Sequence, residues 1–305
     1  MSERIAALDL GTNTFHLLIA DVGENRIVHI ILEKQDHVKL GEGGINEGRI
    51  TDAAFQRGLT ALSVFQKYIS EYQVRQVRAV GTAALRTAHN GAEFMEKVKA
   101  ETGIVIEIID GEKEADLIYQ GVKQAVDLSQ TSLIMDIGGG SVEFIIANTD
   151  KIFWKKSYPI GAAKLMASFH HSDPISDYDI KEIHSYLDTV LSDLKTSITK
   201  YLPQMLIGSA GAFETFATLC QIKTQGKPSK INRSFLFNAE NLHGVLFELI
   251  RSTHQDRVNN PAILPVRTDM IVVAALLTKY ILQQHNFRSL KMTNYALKEG
   301  LVINS

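Results

Sequence analysis

The sequence predicts an α/β protein with two domains of similar plan on either side of a cleft. Its 305 residues exceed what one ordinary core holds and suit two domains of about 150 residues each. Short runs rich in Ile and Val alternate with longer amphipathic stretches, as strands and helices do in α/β domains. Residues 5–20 and 132–147 also share one pattern, which predicts an internal duplication.

The shared pattern is an apolar run, an Asp, an aliphatic residue, a Gly, a small polar turn and a second apolar run. Each copy is typical of a tight β-hairpin, and chance similarity between two hairpins is the alternative to duplication. The aligned pairs are Asp9 with Asp136, Gly11 with Gly138, Thr14 with Ser141, Ile19 with Ile146, and Ala20 with Ala147.

The turn of the second hairpin predicts an anion site with a cation beside it. Gly138, Gly139 and Gly140 permit positive φ and close approach of a ligand, and their N–H groups can form an anion-binding concavity. Asp136 and Glu143 bracket the turn with carboxylates, which suit a hard cation that bridges to phosphate oxygens. The alternative is a glycine-rich hairpin with merely solvated acids.

The first half opens with a predicted β-meander and continues as strand–helix alternation. Thr51 caps a helix in which apolar residues recur every three to four positions from Phe55 to Ile69. A helical turn follows at 81–90, and acids at 112–116 mark the start of a helix. The predicted strands are 4–10, 14–22, 26–33, 77–80 and 105–109, and the helices are 51–72, 91–99 and 112–126.

The second half repeats this plan less regularly. Gly208 and Gly211 lie in a glycine loop that opens a helix, so we expect further backbone N–H groups at the cleft. Lys223 to Lys230 is predicted to be a polar loop, and no element is assigned to 231–266. The predicted strands are 132–147 as a hairpin, 152–158, 205–207 and 289–293, and the helices are 161–170, 178–200, 267–284 and 295–303.

Composition narrows the class of protein. A 45% apolar and 22% charged content is that of a globular protein, and the net charge of −2 draws it to neither nucleic acid nor a membrane. One cysteine, Cys220, excludes an internal disulfide framework and favours a reducing compartment. Asp9 interrupts the first apolar run, so we expect no signal peptide and a cytoplasmic protein.

Six motifs together resemble the exopolyphosphatase/guanosine pentaphosphate phosphohydrolase family of the actin/Hsp70/sugar-kinase superfamily. They occur in order from end to end of the chain, as in the shorter family members, so no further helical C-terminal domain is expected. Each motif is weak alone, but the combination is specific. The motifs are Asp9-Leu-Gly-Thr-Asn-Thr-Phe-His16, Gly81-Thr-Ala-Ala-Leu-Arg86, Asp110-Gly111 with Glu114-Ala115 and Leu117-Ile-Tyr-Gln-Gly121, Asp136-Ile-Gly-Gly-Gly-Ser-Val-Glu143, Gly208-Ser-Ala-Gly211 and Lys298-Glu299-Gly300.

The resemblance implies two actin-like (ribonuclease H-like) domains, 1–124 with 291–305 and 125–290, that flank a phosphate-binding cleft. It implies Glu114 as the base that activates water, Arg86 beside the terminal phosphate, and Asp136 and Glu143 as ligands of Mg²⁺ (or Mn²⁺) or as acids that orient the water. Implied partners are polyphosphate or guanosine pentaphosphate, with no membrane and no specific nucleic acid, and a homodimer is compatible with the resemblance. The implied phosphate-binding residues are Asn13, Thr14, Gly138, Gly139, Gly140, Ser141, Gly208 and Gly211.

The sequence departs from the family pattern beside the implied base. Where the family has Glu-Glu-Ala-Arg, this chain has Lys113-Glu114-Ala115-Asp116, which inverts two charges. Three hypotheses therefore stand: a phosphoanhydride hydrolase, a non-hydrolytic nucleotide- or polyphosphate-binding regulator of the same fold, and a small-molecule kinase. Glu114 favours water as the acceptor, and the fold alone does not decide among them.

Overall fold

The structure, a computed structural model, describes residues 3–23 and 28–304. Its internal contacts divide the chain into two compact units. The first unit comprises Met1–Gly121, Gly138–Gly140 and Ala296–Ser305, and the second comprises Val122–Ile137 and Ser141–Tyr295. Residues 122–124 and 291–295 thus group with the second unit, whereas the predicted domains put them in the first, and Gly138–Gly140 group with the first unit, whereas the predicted domains put them in the second. The predicted domain boundaries otherwise stay a prediction.

The first unit is built on a five-stranded sheet of order β3-β2-β1-β4-β5. β2 pairs antiparallel with β1 and β3, whereas β4 pairs parallel with β1 and β5. The predicted meander is confirmed, except that residues 26 and 27 of its third strand lie outside the described residues. The strands are β1 (Glu3–Leu10), β2 (Phe15–Val22), β3 (Val28–Asp36), β4 (Gln76–Gly81) and β5 (Ile106–Ile108).

The helices of the first unit begin where the sequence predicts. Thr51 caps the first helix, because its side chain accepts a hydrogen bond from the Ala54 N–H. The predicted apolar stripe is buried from Leu59 to Ile69 and packs on the sheet, whereas Phe55 is only partly buried. The helices are α1 (Asp52–Glu71), α2 (Ala83–Thr87), α3 (Gly91–Thr102) and α4 (Gly111–Val122).

The second unit has a six-stranded sheet of order β10-β11-β9-β6-β7-β8. β7 pairs antiparallel with β6 and β8, whereas β9 pairs parallel with β6 and β11. The short strand β10 adds to β11 at the edge and was not predicted. The strands are β6 (Ser132–Ile137), β7 (Val142–Ala147), β8 (Ile152–Tyr158), β9 (Met205–Ser209), β10 (Ser234–Leu236) and β11 (Ser289–Thr293).

The two sheets repeat one topology, which supports the predicted duplication. Without β10, the order and directions of β8-β7-β6-β9-β11 reproduce those of β3-β2-β1-β4-β5. Each sheet also has a register shift between its second and third strands, between Ile19 and Ala20 in one and between Ile146 and Ala147 in the other. These are the residues that the sequence aligns. The predicted α/β fold with two sheets is confirmed, whereas the actin-like assignment and the cleft stay predictions.

The helices of the second unit differ from the prediction in three places. The predicted helix 178–200 is two helices, separated at Leu191, whose φ of −98° and ψ of 18° leave the helical range. Residues 223–225 continue a helix instead of starting a loop, and two helices occupy part of 231–266. The helices are α5 (Ala162–Phe169), α6 (Asp177–Val190), α7 (Ser192–Tyr201), α8 (Gly211–Gln225), α9 (Ala239–Arg251), α10 (His254–Asn259) and α11 (Ile271–Gln284), and α12 (Leu297–Ile303) returns to the first unit.

Two glycines let the last helix pack tightly on α4. A Cβ at Gly121 would lie 1.9 Å from the Ala296 carbonyl oxygen, and a Cβ at Gly300 would lie 1.9 Å from that of Leu117. Glu299 is buried beside this crossing and accepts a hydrogen bond from the Ala296 N–H at 2.7 Å. Burial raises the pKa of Glu299 above its ordinary value. The motif Lys298-Glu299-Gly300 therefore has a packing role. No helix in the described part of the chain is long and apolar enough to cross a membrane.

Candidate active site

Asp136 and Glu143 lie directly opposite each other in the β6–β7 hairpin. Opposed residues of an antiparallel pair point to the same face of the sheet, so both carboxylates share one side. They are 8% and 1% exposed, which is unusual for acids. Burying a carboxylate costs free energy unless the group has hydrogen-bond or charged partners, so we expect both acids to have such partners.

Each of these carboxylates accepts a hydrogen bond from a serine on the neighbouring strand. Ser209 lies opposite Asp136 in the β6–β9 register and donates its hydroxyl hydrogen to Asp136 Oδ2. Ser157 lies opposite Glu143 in the β7–β8 register and donates to Glu143 Oε1 at 2.7 Å. The sequence analysis gave neither serine a role, although Ser209 lies in the motif Gly208-Ser-Ala-Gly211, because each is far along the chain from its acid and only the strand register brings the two together.

The glycine turn that follows Asp136 packs closely on Thr12. A Cβ at Gly140 would lie 2.6 Å from Thr12 Oγ1 and 2.8 Å from the Ala83 Cβ, and one at Gly139 would lie 3.2 Å from the Thr12 Cβ. The structure has positive φ at other glycines but at none of Gly138, Gly139 and Gly140, so this turn does not use the positive φ that glycine permits. Glycine is needed in this turn because a neighbouring loop passes too near for side chains.

The turn of the first hairpin, residues 11–14, is fixed by the segment 37–41. The Lys39 N–H donates to the Asn13 carbonyl oxygen at 2.8 Å, and the Gly41 N–H donates to that of Thr12 at 3.0 Å. Thr14 Oγ1 lies 3.2 Å from His37 Nδ1, within hydrogen-bond distance. These contacts hold the predicted phosphate-binding residues Asn13 and Thr14 in one backbone conformation.

Arg86 and Glu114 form an ion pair in the first unit. Arg86 lies at the end of α2 and Glu114 in the first turn of α4, and Arg86 Nη1 donates to Glu114 Oε2 at 3.2 Å and to the Ile109 carbonyl oxygen at 2.7 Å. The Glu114 side chain is 9% exposed and that of Arg86 is 24% exposed. The structure thus brings together Arg86 and Glu114, two of the three residues for which the resemblance implies a catalytic role; the third is Glu143.

A residue that the sequence analysis did not single out packs against the start of α8. Arg267 lies over Gly211, where an added Cβ would be 2.4 Å from the guanidinium, and it pairs with Glu214 at 2.7 Å. Gly208 packs against the Phe213 ring, which would lie 2.0 Å from an added Cβ. Packing alone therefore accounts for glycine at 208, while phosphate binding by Gly208 and Gly211 stays a prediction.

Each unit holds part of the predicted site. The first contains Asn13, Thr14, Arg86, Glu114 and the turn Gly138–Gly140, and the second contains Asp136, Ser141, Glu143, Gly208 and Gly211.

The acids of the second unit have the chemistry of a hard-cation site. Across residues 3–23 and 28–304, no group of three or more His, Cys, Asp or Glu side chains is arranged to hold a metal ion. Two carboxylates nevertheless fit Mg²⁺, which keeps several waters and is often held by one or two carboxylates together with substrate phosphates. Asp136 and Glu143 match that pattern, because they are oxygen donors on one face of a hairpin.

Comparisons with known proteins extend over nearly the whole chain. Residues 18–305 match the sequence pattern of the Ppx/GppA phosphatase family. An exopolyphosphatase from Cytophaga hutchinsonii, solved as a crystal structure, is 38% identical with a TM-score of 0.94, covering 98% of this chain and 96% of its own. The Aquifex aeolicus PPX-GPPA enzyme is 25% identical with a TM-score of 0.84, and each chain is covered completely, to 100%.

Two sequence relatives carry different names. Exopolyphosphatase 2 of Mycobacterium tuberculosis is 27% identical over 314 residues, covering 99% of this chain and 98% of the relative. Guanosine-5'-triphosphate,3'-diphosphate pyrophosphatase of Photobacterium profundum is also 27% identical, covering 99% of this chain but 59% of the relative.

Proposed function

The chain belongs to the Ppx/GppA phosphatase family, and on that premise we propose that it hydrolyses phosphoanhydrides. The substrate is inorganic polyphosphate, guanosine pentaphosphate or both, and the product is terminal orthophosphate. Relatives named for each activity match along the whole chain. The observation that carries the proposal is the pairing of Arg86 with Glu114, because it supplies a cation for phosphate and a carboxylate for water at one place.

Glu114 is the base in this proposal. Water attacks the terminal phosphorus, Glu114 accepts the water's proton, and the bond from phosphorus to the bridging oxygen breaks, so the substrate loses one orthophosphate. Burial strengthens electrostatic interactions at Glu114 because little water screens them. Arg86 fixes the orientation of this carboxylate, and its planar guanidinium has further N–H groups to donate to phosphate oxygens.

Asp136 and Glu143 hold Mg²⁺ or Mn²⁺ in this proposal. The ion supplies positive charge that neutralises phosphate oxygens and orients the substrate. Backbone N–H groups of Gly138, Gly139 and Gly140, the Ser141 and Thr14 hydroxyls and the Asn13 amide supply hydrogen bonds to phosphate. Gly211 adds a backbone donor at the start of α8, and Gly208 adds one near the end of β9.

The departures from the family pattern do not alter the Arg86–Glu114 pair. Lys113 is exposed, and its backbone N–H donates to Asp110 Oδ1 at 2.7 Å, as at an ordinary helix start. Asp116 is half-buried and lies in the second turn of α4. Because the altered charges leave the ion pair in place, hydrolysis is favoured over binding without turnover.

Phosphate release from the purified protein tests the proposal. Polyphosphate, guanosine pentaphosphate and ATP are compared side by side with Mg²⁺, and glycerol and a sugar are added as acceptor hydroxyls in a parallel series. We expect release from at least one of the first two substrates without any acceptor. Tight binding of both with no release would favour the regulatory hypothesis, and transfer from ATP to an acceptor would favour the kinase.

A further inference from the structure

The guanidinium of Arg57, on α1, binds the segment 37–42, which in turn contacts the turn of the first hairpin. We propose that Arg57 is a positioning residue: it holds this segment in the conformation that fixes the turn 11–14, and through that turn it sets the affinity for phosphate. The inference rests on the proposed function, because it takes the Asn13 amide and the Thr14 hydroxyl as donors to substrate. It adds a residue that lies outside all six sequence motifs.

Arg57 bridges three acceptors of the segment 37–42. Its Nε donates to the Val38 carbonyl oxygen at 2.7 Å, and its Nη2 donates to that of Lys39 at 3.1 Å and to Glu42 Oε2 at 2.9 Å. The two carbonyl groups belong to the peptide groups before and after the Lys39 Cα. Because the Arg57 and Glu42 side chains are 38% and 53% exposed, their ion pair contributes little, and the restraint lies in the two carbonyl bonds.

Lys39 has a backbone conformation that depends on such a restraint. Its φ is 49°, in the left-handed region, which is uncommon for a residue other than glycine. A strained backbone persists only where its surroundings hold it, and such strain is concentrated at ligand sites. Since Arg57 binds the carbonyl groups on both sides of this residue, removing the guanidinium should let Lys39 relax towards negative φ.

The strained residue lies between the two N–H groups that hold the turn. The Lys39 N–H donates to the Asn13 carbonyl oxygen at 2.8 Å, and the Gly41 N–H donates to that of Thr12 at 3.0 Å. A change of φ at Lys39 rotates one donor relative to the other, so both bonds cannot be kept. Gly41 also packs closely here, since an added Cβ would lie 2.6 Å from Thr12 Cγ2. Loss of Arg57 should therefore loosen the backbone of the turn.

The hydrophobic core limits how far this effect spreads. Val38 and Leu40 are buried in the core of the first unit, so the segment stays attached to it without Arg57. Helix α1 is held by its own buried stripe, to which the half-buried Arg57 does not belong. Arg57→Ala should therefore alter the turn without unfolding the unit.

Steady-state kinetics of Arg57→Ala test the inference. Donors in the turn bind substrate before the reaction as well as during it, so their misplacement should appear in KM and not in kcat. We expect KM to rise about tenfold, since moving a group by about 1 Å can cost about 10²-fold, while kcat stays close to that of the parent. Arg57→Lys should recover part of the affinity, because an ammonium lacks the planar fork that binds both carbonyl groups.

Arg4→Ala is the matched control, because Arg4 makes the same kinds of contact at the other end of the hairpin. Its guanidinium donates to Asp21 Oδ1 at 2.8 Å and to the Tyr72 carbonyl oxygen at 3.1 Å, and its side chain is 35% exposed. Arg4→Ala should lower stability but keep the parent KM. Glu42→Gln removes the ion pair and leaves the carbonyl bonds, so it should also keep the parent KM.

Two further measurements separate positioning from a general loss of stability. Hydrogen exchange reports on the turn contacts directly: the Lys39 and Gly41 amides should exchange faster in Arg57→Ala, while those of α1 keep their protection. Lys39→Asn provides a double-mutant cycle, because Asn adopts the left-handed region with less strain. In the Lys39→Asn background, Arg57→Ala should raise KM less than it does in the parent.

An unchanged KM or unchanged exchange at residues 39 and 41 in Arg57→Ala would overturn the inference, and so would an equal rise in KM for Arg4→Ala. If Arg57→Ala does not fold, Arg57→Lys takes its place in the same comparisons. A parent that releases phosphate while its Arg57 variants keep its KM contradicts this inference alone. A parent that binds polyphosphate without releasing phosphate contradicts the proposed function alone, and the dissociation constant then replaces KM. A parent that binds no substrate contradicts both.

Discussion

Glu114 is both buried and paired with Arg86, and this environment determines what a single substitution should do. Replacing Glu114 by Gln keeps its size and a hydrogen-bonding oxygen but removes its ability to accept a proton. We expect Glu114→Gln to lower kcat by roughly 10²–10⁴ because proton transfer to a positioned base is lost. Substrate affinity should stay similar or become tighter, since a negative charge beside a polyanion is gone. Steady-state kinetics and equilibrium substrate binding measure the two effects.

Glu112→Gln is the matched control for Glu114. Both acids lie in the first turn of α4, but Glu112 is exposed, whereas Glu114 is buried. The control should keep kcat close to that of the parent. If Glu114→Gln is as fast as the parent and Glu112→Gln is slow, then Glu112 is the base and the assignment above is wrong.

Arg86 should respond differently from Glu114. Its charge faces phosphate both before and during the reaction in the proposed mechanism, so Arg86→Ala should raise KM and lower kcat together. Arg86→Lys should recover only part of the activity, because an ammonium lacks the planar fork that binds Ile109, Glu114 and phosphate together. Full activity of the lysine variant would show that charge alone is required.

Residues of the candidate site could be predicted from the sequence only where they lie close together along the chain. Asp136, Glu143 and the glycines between them lie within one hairpin, so spacing alone groups them. Ser157 and Ser209 join the same cluster through strand register, which local sequence does not specify. Thr12 was missed for a related reason, because its contact with Gly140 depends on how two separate turns pack.

At the scale of elements, Asp193 connects α7 to β8. The pKa of Asp193 is lowered: burial raises it, but the hydrogen bonds from Lys156 and Tyr158 together outweigh that effect. A carboxyl group with a lowered pKa stabilises the fold above its unfolded-state value, near pH 4, and this stabilisation is lost as the pH falls through the folded-state pKa.

Asp193→Asn should therefore lower the free energy of unfolding by about 1 kcal/mol at pH 7, since the group is partly exposed and solvent screens it. The difference in the free energy of unfolding between parent and variant should become smaller below about pH 4. Urea unfolding at several pH values measures it, with Asp150→Asn in an exposed turn as the control. A gap of the same size at pH 3 would show that packing, and not charge, causes the loss.

Elements with a strong local signal were predicted, and those governed by tertiary contacts were not. The break at Leu191 has no Pro or Gly to mark it. It places Asp193 in the first turn of α7, where the side chain binds Lys156 and Tyr158. Helix α9 did have a signal, because Asn238 caps it and buried residues recur from Leu242 to Ile250 at helical spacing.

At the scale of the whole molecule, activity should depend on a divalent cation. The proposed ligands Asp136 and Glu143 are both oxygen donors, and a polyphosphate substrate carries charge that two hairpin turns alone would not neutralise. EDTA should abolish phosphate release, and Mg²⁺ or Mn²⁺ should restore it. A Zn²⁺ addition serves as the comparison, since this set lacks Cys and His ligands. Full turnover in EDTA would exclude the metal role.

The overall plan could be predicted because the chain repeats itself. Length and the aligned hairpins predicted two α/β domains of similar plan, and the structure has two sheets whose shared strands follow one order. The extra strand β10 breaks the repeat, and a three-residue strand at a sheet edge has too little periodicity to be detected in a sequence. The predicted boundary lies after residue 290, whereas the second unit ends at Tyr295. The two differ because β11 belongs to the second sheet, while α12, just after it, belongs to the first unit.

The register shift shared by the two sheets records an order of events in the history of the gene. An extra residue that arose separately in the third strand of each copy would have had to enter opposite the same aligned pair, Ile19 and Ala20 in one and Ile146 and Ala147 in the other. Inheritance from one ancestral hairpin explains the coincidence more simply, since bulges are retained within families. Val80 and Gln35 now stand where the second copy has Ser209 and Ser157. The bulge is therefore older than the specialisation of the copies, and the ancestral strand was already bent when the two halves began to diverge.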